Sequence, residues 1–227
     1  MGKRGPQPKG KVKIEWSPNF AYAIGLLVSD GNLSPDGRHI VFTSKDIEQL
    51  ENFMVALDIK IFIGSSVSGY KQNKTPRIQF GDVLFYNFLL SIGLMPNKSE
   101  IIGKIVIPPE YFFDFLRGSF DGDGSTNSYI DPRWKSSFMF YTAFASASKR
   151  HIGWLQAEIY SRLKIKGHIS KAVKNSAFQL RYAKADSRLL WKKMYHAEQV
   201  LCLTRKHLKI KEILRIIAPQ RKSAGDS

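Results

Sequence analysis

Two aspartates, Asp30 and Asp123, each stand before a glycine at the end of an apolar run. The runs are SPNFAYAIGLLVSDG, ending at Gly31, and PPEYFFDFLRGSFDGDG, ending at Gly124. Each reads as a helix, because Pro18 and Pro109 fall near a first helical turn, where proline is tolerated. The acids are then misplaced: a helix C-terminus is the negative end of the dipole and displays the last free carbonyls. Such placement costs each acid a few tenths to about 1 kcal/mol. Two acids misplaced in matching positions are what a divalent-cation site requires, since hard cations take carboxylate and carbonyl oxygens. Gly31 and Gly124 are expected as left-handed residues that end the helices.

The same runs carry small residues four apart, Gly25 with Ser29 and Gly118 with Gly122. This spacing puts them on one helix face, so two backbones can approach closely and set the carboxylates side by side.

The composition names the partner's charge. Lys and Arg number 35 against 19 Asp and Glu, a formal net charge of +16. An excess spread along the whole chain is the footprint of a protein that neutralises phosphates. A membrane-surface protein would want an amphipathic helix with one basic face, whereas the positive residues here lie mainly in strand and loop segments. The five histidines form no HExxH or Cys/His cluster, which argues against zinc. The single Cys202, in the run LLWKKMYHAEQVLCL that reads as helix, is expected as a small core residue in a reducing environment. No apolar run of about eighteen residues and no signal-peptide pattern is visible, so a soluble, unsecreted protein is expected.

The elements that must position the acids follow from periodicity. Residues 1–13 read as a flexible basic arm able to lie along a nucleic-acid groove. RHIVFTS reads as a strand and SKDIEQLENFMVALDI as a helix, with Ser44 as its N-cap and Ile47, Leu50, Met54 and Leu57 on one face. KIFIGSSVS and RIQF read as strands and DVLFYNFLLSIG as a helix. The second half repeats the order: SSFMFYTAFAS as strand, a helix after Ser148 carrying Ile152, Leu155 and Ile159, strands KIKGHISK and FQLRYAK, and a helical run from Asp186. The two aspartates are 93 positions apart, but Ile47 and Ile152 are 105 apart. The drift implies an insertion of about a dozen residues in TNSYIDPRWKSS, a longer loop that costs little closure entropy. The chain therefore reads as two tandem α+β units, 14–105 and 106–217, with a tail at 218–227.

Alternation within the strands separates two faces. Arg77 and Gln79 oppose Ile78 and Phe80, and Gln179 and Arg181 oppose Phe178, Leu180 and Tyr182. One face packs on helices; the other presents types that pair with base edges and phosphates in a major groove.

The helix ends AIGLLVSDG and LRGSFDGDG resemble the nine-residue signature of the LAGLIDADG homing endonucleases, the second more closely. From about Trp16 to Leu214 the chain follows the layout of that family's single-chain, two-repeat members. The resemblance implies an α+β fold of two tandem pseudo-symmetric αββαββα repeats, with the signature helices at the centre and antiparallel sheets forming a saddle over double-stranded DNA. It makes Asp30 and Asp123 metal ligands, aided by the helix-terminal groups of Ser29 and Gly122. Asp121 is a rival in the second copy, but its counterpart is Val28, so a role needing both halves cannot rest on it. The family also places a basic residue from each repeat near the scissile phosphates. Lys98 in GLMPNKSEI and Lys206 in CLTRKHLKI fit by position, with Arg205 an alternative to Lys206. Ser44 and Ser148 match places where the family often has a polar, water-organising residue.

The implied activity is site-specific double-strand cleavage by Mg²⁺-dependent phosphodiester hydrolysis, leaving short 3′ overhangs, with Mn²⁺ or Ca²⁺ able to substitute in binding. Lys98 and Lys206 would be electrostatic partners of the phosphates. DNA contacts would be shared by Lys71, Arg38, Arg77 and Gln79 in the first repeat and by Arg133, Lys135, Gln179, Arg181 and Lys184 in the second. Different residues on the two halves imply a non-palindromic target. A monomer with no required protein partner and no membrane association is expected, in an organelle or a prokaryotic cytoplasm. Two other readings use the same fold: an intron RNA-splicing maturase, and a DNA-binding regulator without chemistry. The regulator usually carries a helix-turn-helix module, and the residues after Leu214 are too few for one. Intact acids in both copies favour the nuclease.

Overall fold

The computed structural model describes residues 10–68, 73–134, 137–171 and 177–218. The first half runs α1 (Pro18–Asp30), β1 (Gly31–Leu33), β2 (His39–Thr43), α2 (Ile47–Leu57), β3 (Gly64–Ser68), β4 (Asn73–Gly81) and α3 (Val83–Ser91). After a 3₁₀ turn at Pro109–Tyr111, the second runs α4 (Phe112–Asp123), β5 (Ser125–Ile130), β6 (Phe138–Ser146), α5 (Lys149–Leu163), β7 (His168–Lys171), β8 (Phe178–Ala183), α6 (Lys184–Met194) and α7 (Thr204–Ile217). The fold is α+β, with two four-stranded antiparallel sheets ordered β1-β2-β4-β3 and β5-β6-β8-β7.

Helices α1 and α4 form the central seam because glycine lets their backbones touch. A Cβ on Gly25 would lie 2.1 Å from the Phe115 carbonyl oxygen, and one on Gly118 would lie 2.0 Å from that of Tyr22. Helix α1 starts with Pro18 in its first turn and Ser17 as N-cap, whose hydroxyl accepts the Phe20 N–H at 3.1 Å. Both signature helices end differently from the expectation. Gly31 and Gly124 have φ of −84° and −81°, extended and not left-handed. Glycine is needed there for space: a Cβ would lie 2.6 Å from Leu27 Cδ2 at Gly31, and 2.4 Å from Phe120 Cδ2 at Gly124. The chain leaves each helix directly into a strand, so the carboxylates sit where helix, strand and seam meet.

The alternation expected in the strands is present. Ile78, Phe80, Leu180 and Tyr182 are buried under helices, whereas Gln79 and Arg181 are exposed.

The two halves superimpose in sequence differently from the expected pairing. Leu50, Phe53 and Leu57 are the buried stripe of α2, and Ile152, Leu155 and Ile159 that of α5, a constant offset of 102. Ile47 is exposed, so pairing it with Ile152 was one helical turn out of register. The insertion is therefore nine residues, the difference between offsets of 93 and 102. Much of it is strand and not loop: β5 has six residues against three in β1, and β6 nine against five in β2.

Other expectations also shift. Asp46, not Ser44, is the N-cap residue of α2. Strand β3 covers only the second part of KIFIGSSVS. Helix α6 ends at Met194, leaving Cys202 half-buried in the irregular stretch before α7 and not in a helical core. The end of the basic arm is held: Val12 is buried, and the Lys11 and Val12 N–H groups donate to Asp82 Oδ2 at 2.6 and 3.0 Å. Residues 1–9 and 219–227 lie outside the described residues, as do Lys71 and Lys135. No helix among the described residues is long and apolar enough to cross a membrane.

Candidate functional site

Asp30 and Asp123 are the last residues of α1 and α4, and the close helix seam brings them together. The Asp30 carboxylate lies over the neighbouring helix end: a Cβ on Gly122 would be 2.7 Å from Asp30 Oδ2 and 1.8 Å from Ser29 Oγ. Burial raises the pKa of both acids, and the charge of Asp30 adds to the rise at Asp123. A second pair of groups opposes this. The lysines favour the charged carboxylates, while their own pKa values fall through loss of water, Lys206 to about 8.

The lysines also resolve the misplaced acids. Lys206 Nζ donates to the carbonyls of Phe120, Asp121, Gly122 and Gly124 at 2.6 to 3.0 Å, and so neutralises the C-terminal end of α4. Lys98, 7 % exposed, reaches the Ser29 carbonyl at 3.3 Å and does the same more loosely for α1. Both lysines thus stand beside the acids, but their ammonium groups are bonded to helix ends. The Ser29 hydroxyl is turned back to the Leu26 carbonyl at 3.0 Å, which leaves its carbonyl, not its hydroxyl, facing the site lysine.

Ser29 lowers the Asp30 pKa slightly, and the larger polar support comes from a residue the sequence reading missed. Gln49, 4 % exposed, donates from Nε2 to Asp30 Oδ2 at 2.9 Å. Its Oε1 accepts the Ser44 hydroxyl at 2.7 Å, and Ser44 Oγ accepts the Asp46 N–H at 3.0 Å. Ser44 therefore fixes which end of the amide faces Asp30 and, its one proton given to Gln49, has none left for the site water it was expected to organise. A sequence signal existed: a glutamine adjoining the apolar stripe of α2, where an alkyl side chain would otherwise pack.

Ser148 does not share this role. By the offset of 102 the partner of Ser44 is Ser146, whose hydroxyl likewise accepts a backbone N–H two residues on, from Ser148 at 3.1 Å. Ser148 is fully buried, donates to the Ile102 carbonyl and accepts the His151 N–H, so it has no proton left for a site water. Asp121 is fully buried as well. Its Oδ2 accepts Tyr22 OH at 2.9 Å and the Leu203 N–H at 2.7 Å, and desolvation lifts its pKa to about 6.

The residues expected to contact DNA divide by position. Arg77 and Gln79 share the outer face of the first sheet, Gln179 and Arg181 that of the second, with Arg181 bonded to Gln179 Oε1 at 2.6 Å. Arg38 lies outside the strands, in the β1–β2 turn, exposed and 3.8 Å from Asp36. Arg133 is engaged by both oxygens of Asp131, at 3.1 and 3.0 Å. Lys184 begins α6.

Among the described residues no three His, Cys, Asp or Glu side chains gather as a metal-ligating group. The donor set is two carboxylates, because the Ser29 and Gly122 carbonyls expected to assist them are bonded to Lys98 and Lys206; two carboxylates fit Mg²⁺, an ion held by one or two of them with water and substrate phosphate completing its octahedron.

No protein-family model matches the sequence, and no curated protein shows significant similarity to it. Solved structures do resemble it. The homing endonuclease I-WcaI bound to its DNA recognition sequence is 14% identical, with 86% of each chain covered and a TM-score of 0.60. The meganuclease I-SmaMI bound to uncleaveable DNA is 14% identical over 88% of this chain and 92% of its own, at a TM-score of 0.56. The N-terminal LAGLIDADG domain of DUF199/WhiA is 17% identical over 89% of both chains, at 0.52. Likeness at such identities is one of architecture: this chain has the two-repeat LAGLIDADG fold.

Proposed function

We propose that this protein is a site-specific DNA endonuclease that cuts both strands of a long, non-palindromic duplex and leaves short 3′ overhangs. The observation that carries the reading is the pairing of Asp30 and Asp123 at the seam, each at the junction of a signature helix with a sheet that bears basic and amide side chains. Solved structures of this fold bound to DNA support a nucleic-acid duplex as the ligand.

Asp30 and Asp123 would hold Mg²⁺, which when bound supplies an activated water and stabilises the leaving oxygen. The chain's own residues do the rest. Gln49 orients the Asp30 carboxylate, leaving Oδ1 for coordination. Lys98 and Lys206 keep the two helix ends electrically tolerable for anions, and their positive charge lies where a scissile phosphate would add more negative charge. On the sheets, Arg77 and Gln179 occupy equivalent positions, as do Gln79 and Arg181, by the same offset of 102. The arginine–glutamine order is thus exchanged between halves, and arginine suits guanine whereas glutamine suits adenine. Two half-sites of different sequence follow.

The test is cleavage of a randomised duplex library with Mg²⁺, followed by the chosen target with Asp30→Asn and Asp123→Asn. Each variant should bind the target and cut neither strand, as should the unaltered protein stripped of divalent ions. Normal cutting by both variants would overturn the reading. Binding without any cutting by the unaltered protein would favour a regulator on the same fold.

A further inference from the structure

Helix α7, which carries Lys206, does not cap itself. Its N-cap residue is Leu203, whose side chain cannot accept a hydrogen bond, so the first free N–H groups need outside partners. Carboxylates from two other helices provide them. Asp121 of α4 takes the Leu203 N–H at 2.7 Å, and Glu48 of α2 takes the Thr204 N–H at 3.0 Å together with the Thr204 hydroxyl. Asp46 Oδ2 pairs with Arg205 Nε at 2.9 Å, and Asn52 Nδ2 donates to the Cys202 carbonyl at 2.9 Å. Successive residues 202–205 of the second repeat are therefore bonded to the second repeat's seam and to α2 of the first repeat. The next residue is Lys206.

The first repeat's lysine is treated the same way with opposite chemistry. Four and five residues past Lys98, the Ile102 and Gly103 carbonyls accept from Ser148 Oγ and His151 Nδ1, in the first turn of α5. The offset of 102 makes that turn the counterpart of the first turn of α2. Each lysine-bearing segment thus docks on the opposite repeat.

We infer that Asp46 and Glu48 are positioning residues for Lys206: they latch the start of α7 onto the first repeat, and this latch sets the ammonium against the α4 end beside Asp123. The inference rests on the endonuclease reading for its catalytic consequence. An exposed ion pair alone stabilises little. Here two carboxylates on backbone N–H groups, an ion pair and a hydrogen bond from a side-chain amide act on four consecutive residues of a rigid helix start, so loss of the latch frees the lysine as a unit.

Cys202 is the chain's one cysteine and lies in the latched segment, so its alkylation rate reports the latch without any cleavage. The experiment compares the unaltered full chain with Glu48→Ala, Asp46→Ala and Glu48→Gln. It measures N-ethylmaleimide alkylation of Cys202 and strand-resolved cleavage of an end-labelled target. In the alanine variants alkylation should rise several-fold through local opening. Cutting of one strand should slow about tenfold while the other changes less than about twofold, because only one lysine is released. Glu48→Gln keeps an acceptor oxygen for Thr204 and should restore both values toward the unaltered protein. Unchanged alkylation in both alanine variants, or equal slowing on both strands, would overturn the latch. If the unaltered protein cuts no DNA, the endonuclease reading fails, and the alkylation rates alone decide whether the latch exists.

Discussion

The side-chain amide of Gln49 donates to Asp30 Oδ2 at 2.9 Å. At the equivalent place in the second repeat, His151 turns to the Gly103 carbonyl at 2.8 Å, and no side chain among the described residues donates to Asp123. The two acids of the seam are therefore chemically unequal, although the helices that carry them are related by pseudo-symmetry.

The donated bond favours the charged form of Asp30 against the burial that raises its pKa. Gln49→Leu removes that support, so the pKa rises further. On the endonuclease reading, the acid limb of the cleavage profile should then move to higher pH, with DNA affinity unchanged. A pH–rate profile of both proteins checks this, and an unmoved acid limb would show that Gln49 does not set the carboxylate.

Asp123 is raised first by lost hydration and then by the charge of Asp30. Asp123→Asn removes one of two repelling charges, so without divalent ions at neutral pH the variant should melt at a higher temperature than the unaltered protein. Adding Mg²⁺ should raise the melting temperature of the unaltered protein and leave the variant nearly unchanged. Calorimetry with and without the ion measures both effects.

A Cβ on Gly122 would meet Ser29 Oγ at 1.8 Å and Ser29 Cβ at 2.4 Å, whereas one on Gly118 would meet the Tyr22 carbonyl oxygen at 2.0 Å. Both alanine substitutions should destabilise by about 1 to 3 kcal/mol through overpacking. Only Gly122→Ala should be rescued in part by Ser29→Gly, because only there are the obstacles side chains; the Asp30 carboxylate oxygen, 2.7 Å from that Cβ, must still turn aside. Denaturant unfolding of the single and double variants tests the distinction.

Asp121 gives the stability of the protein a pH dependence of known sign. Its folded pKa, about 6, lies above the ordinary value of 3.8, so its favourable contribution is fully present below the ordinary value and is lost as pH rises through about 6. The unaltered protein should gain on Asp121→Asn by up to about 3 kcal/mol as pH falls from 7 to 4. Urea unfolding of both at each pH reads the difference. A constant gap would mean that Asp121 titrates normally.

The sequence by itself determined the duplication, the helical runs ending at Asp30 and Asp123, the close-packing glycines and the inward and outward faces of RIQF and FQLRY. These are properties of local spacing, and a period of two or of four is visible without coordinates. Tertiary structure decided what depends on distant partners. Gly31 and Gly124 are extended because the chain passes straight into a strand. Gln49 belongs to the site, and Ser148 does not, because of which helix end or interrepeat carbonyl each one meets. Lys206 faces three carbonyls of α4 and that of Gly124 just beyond it because α7 is fastened to α2, a contact between residues 156 positions apart, as in Thr204 with Glu48. Local periodicity holds no record of such encounters, which exist only once the two halves have closed on their common seam.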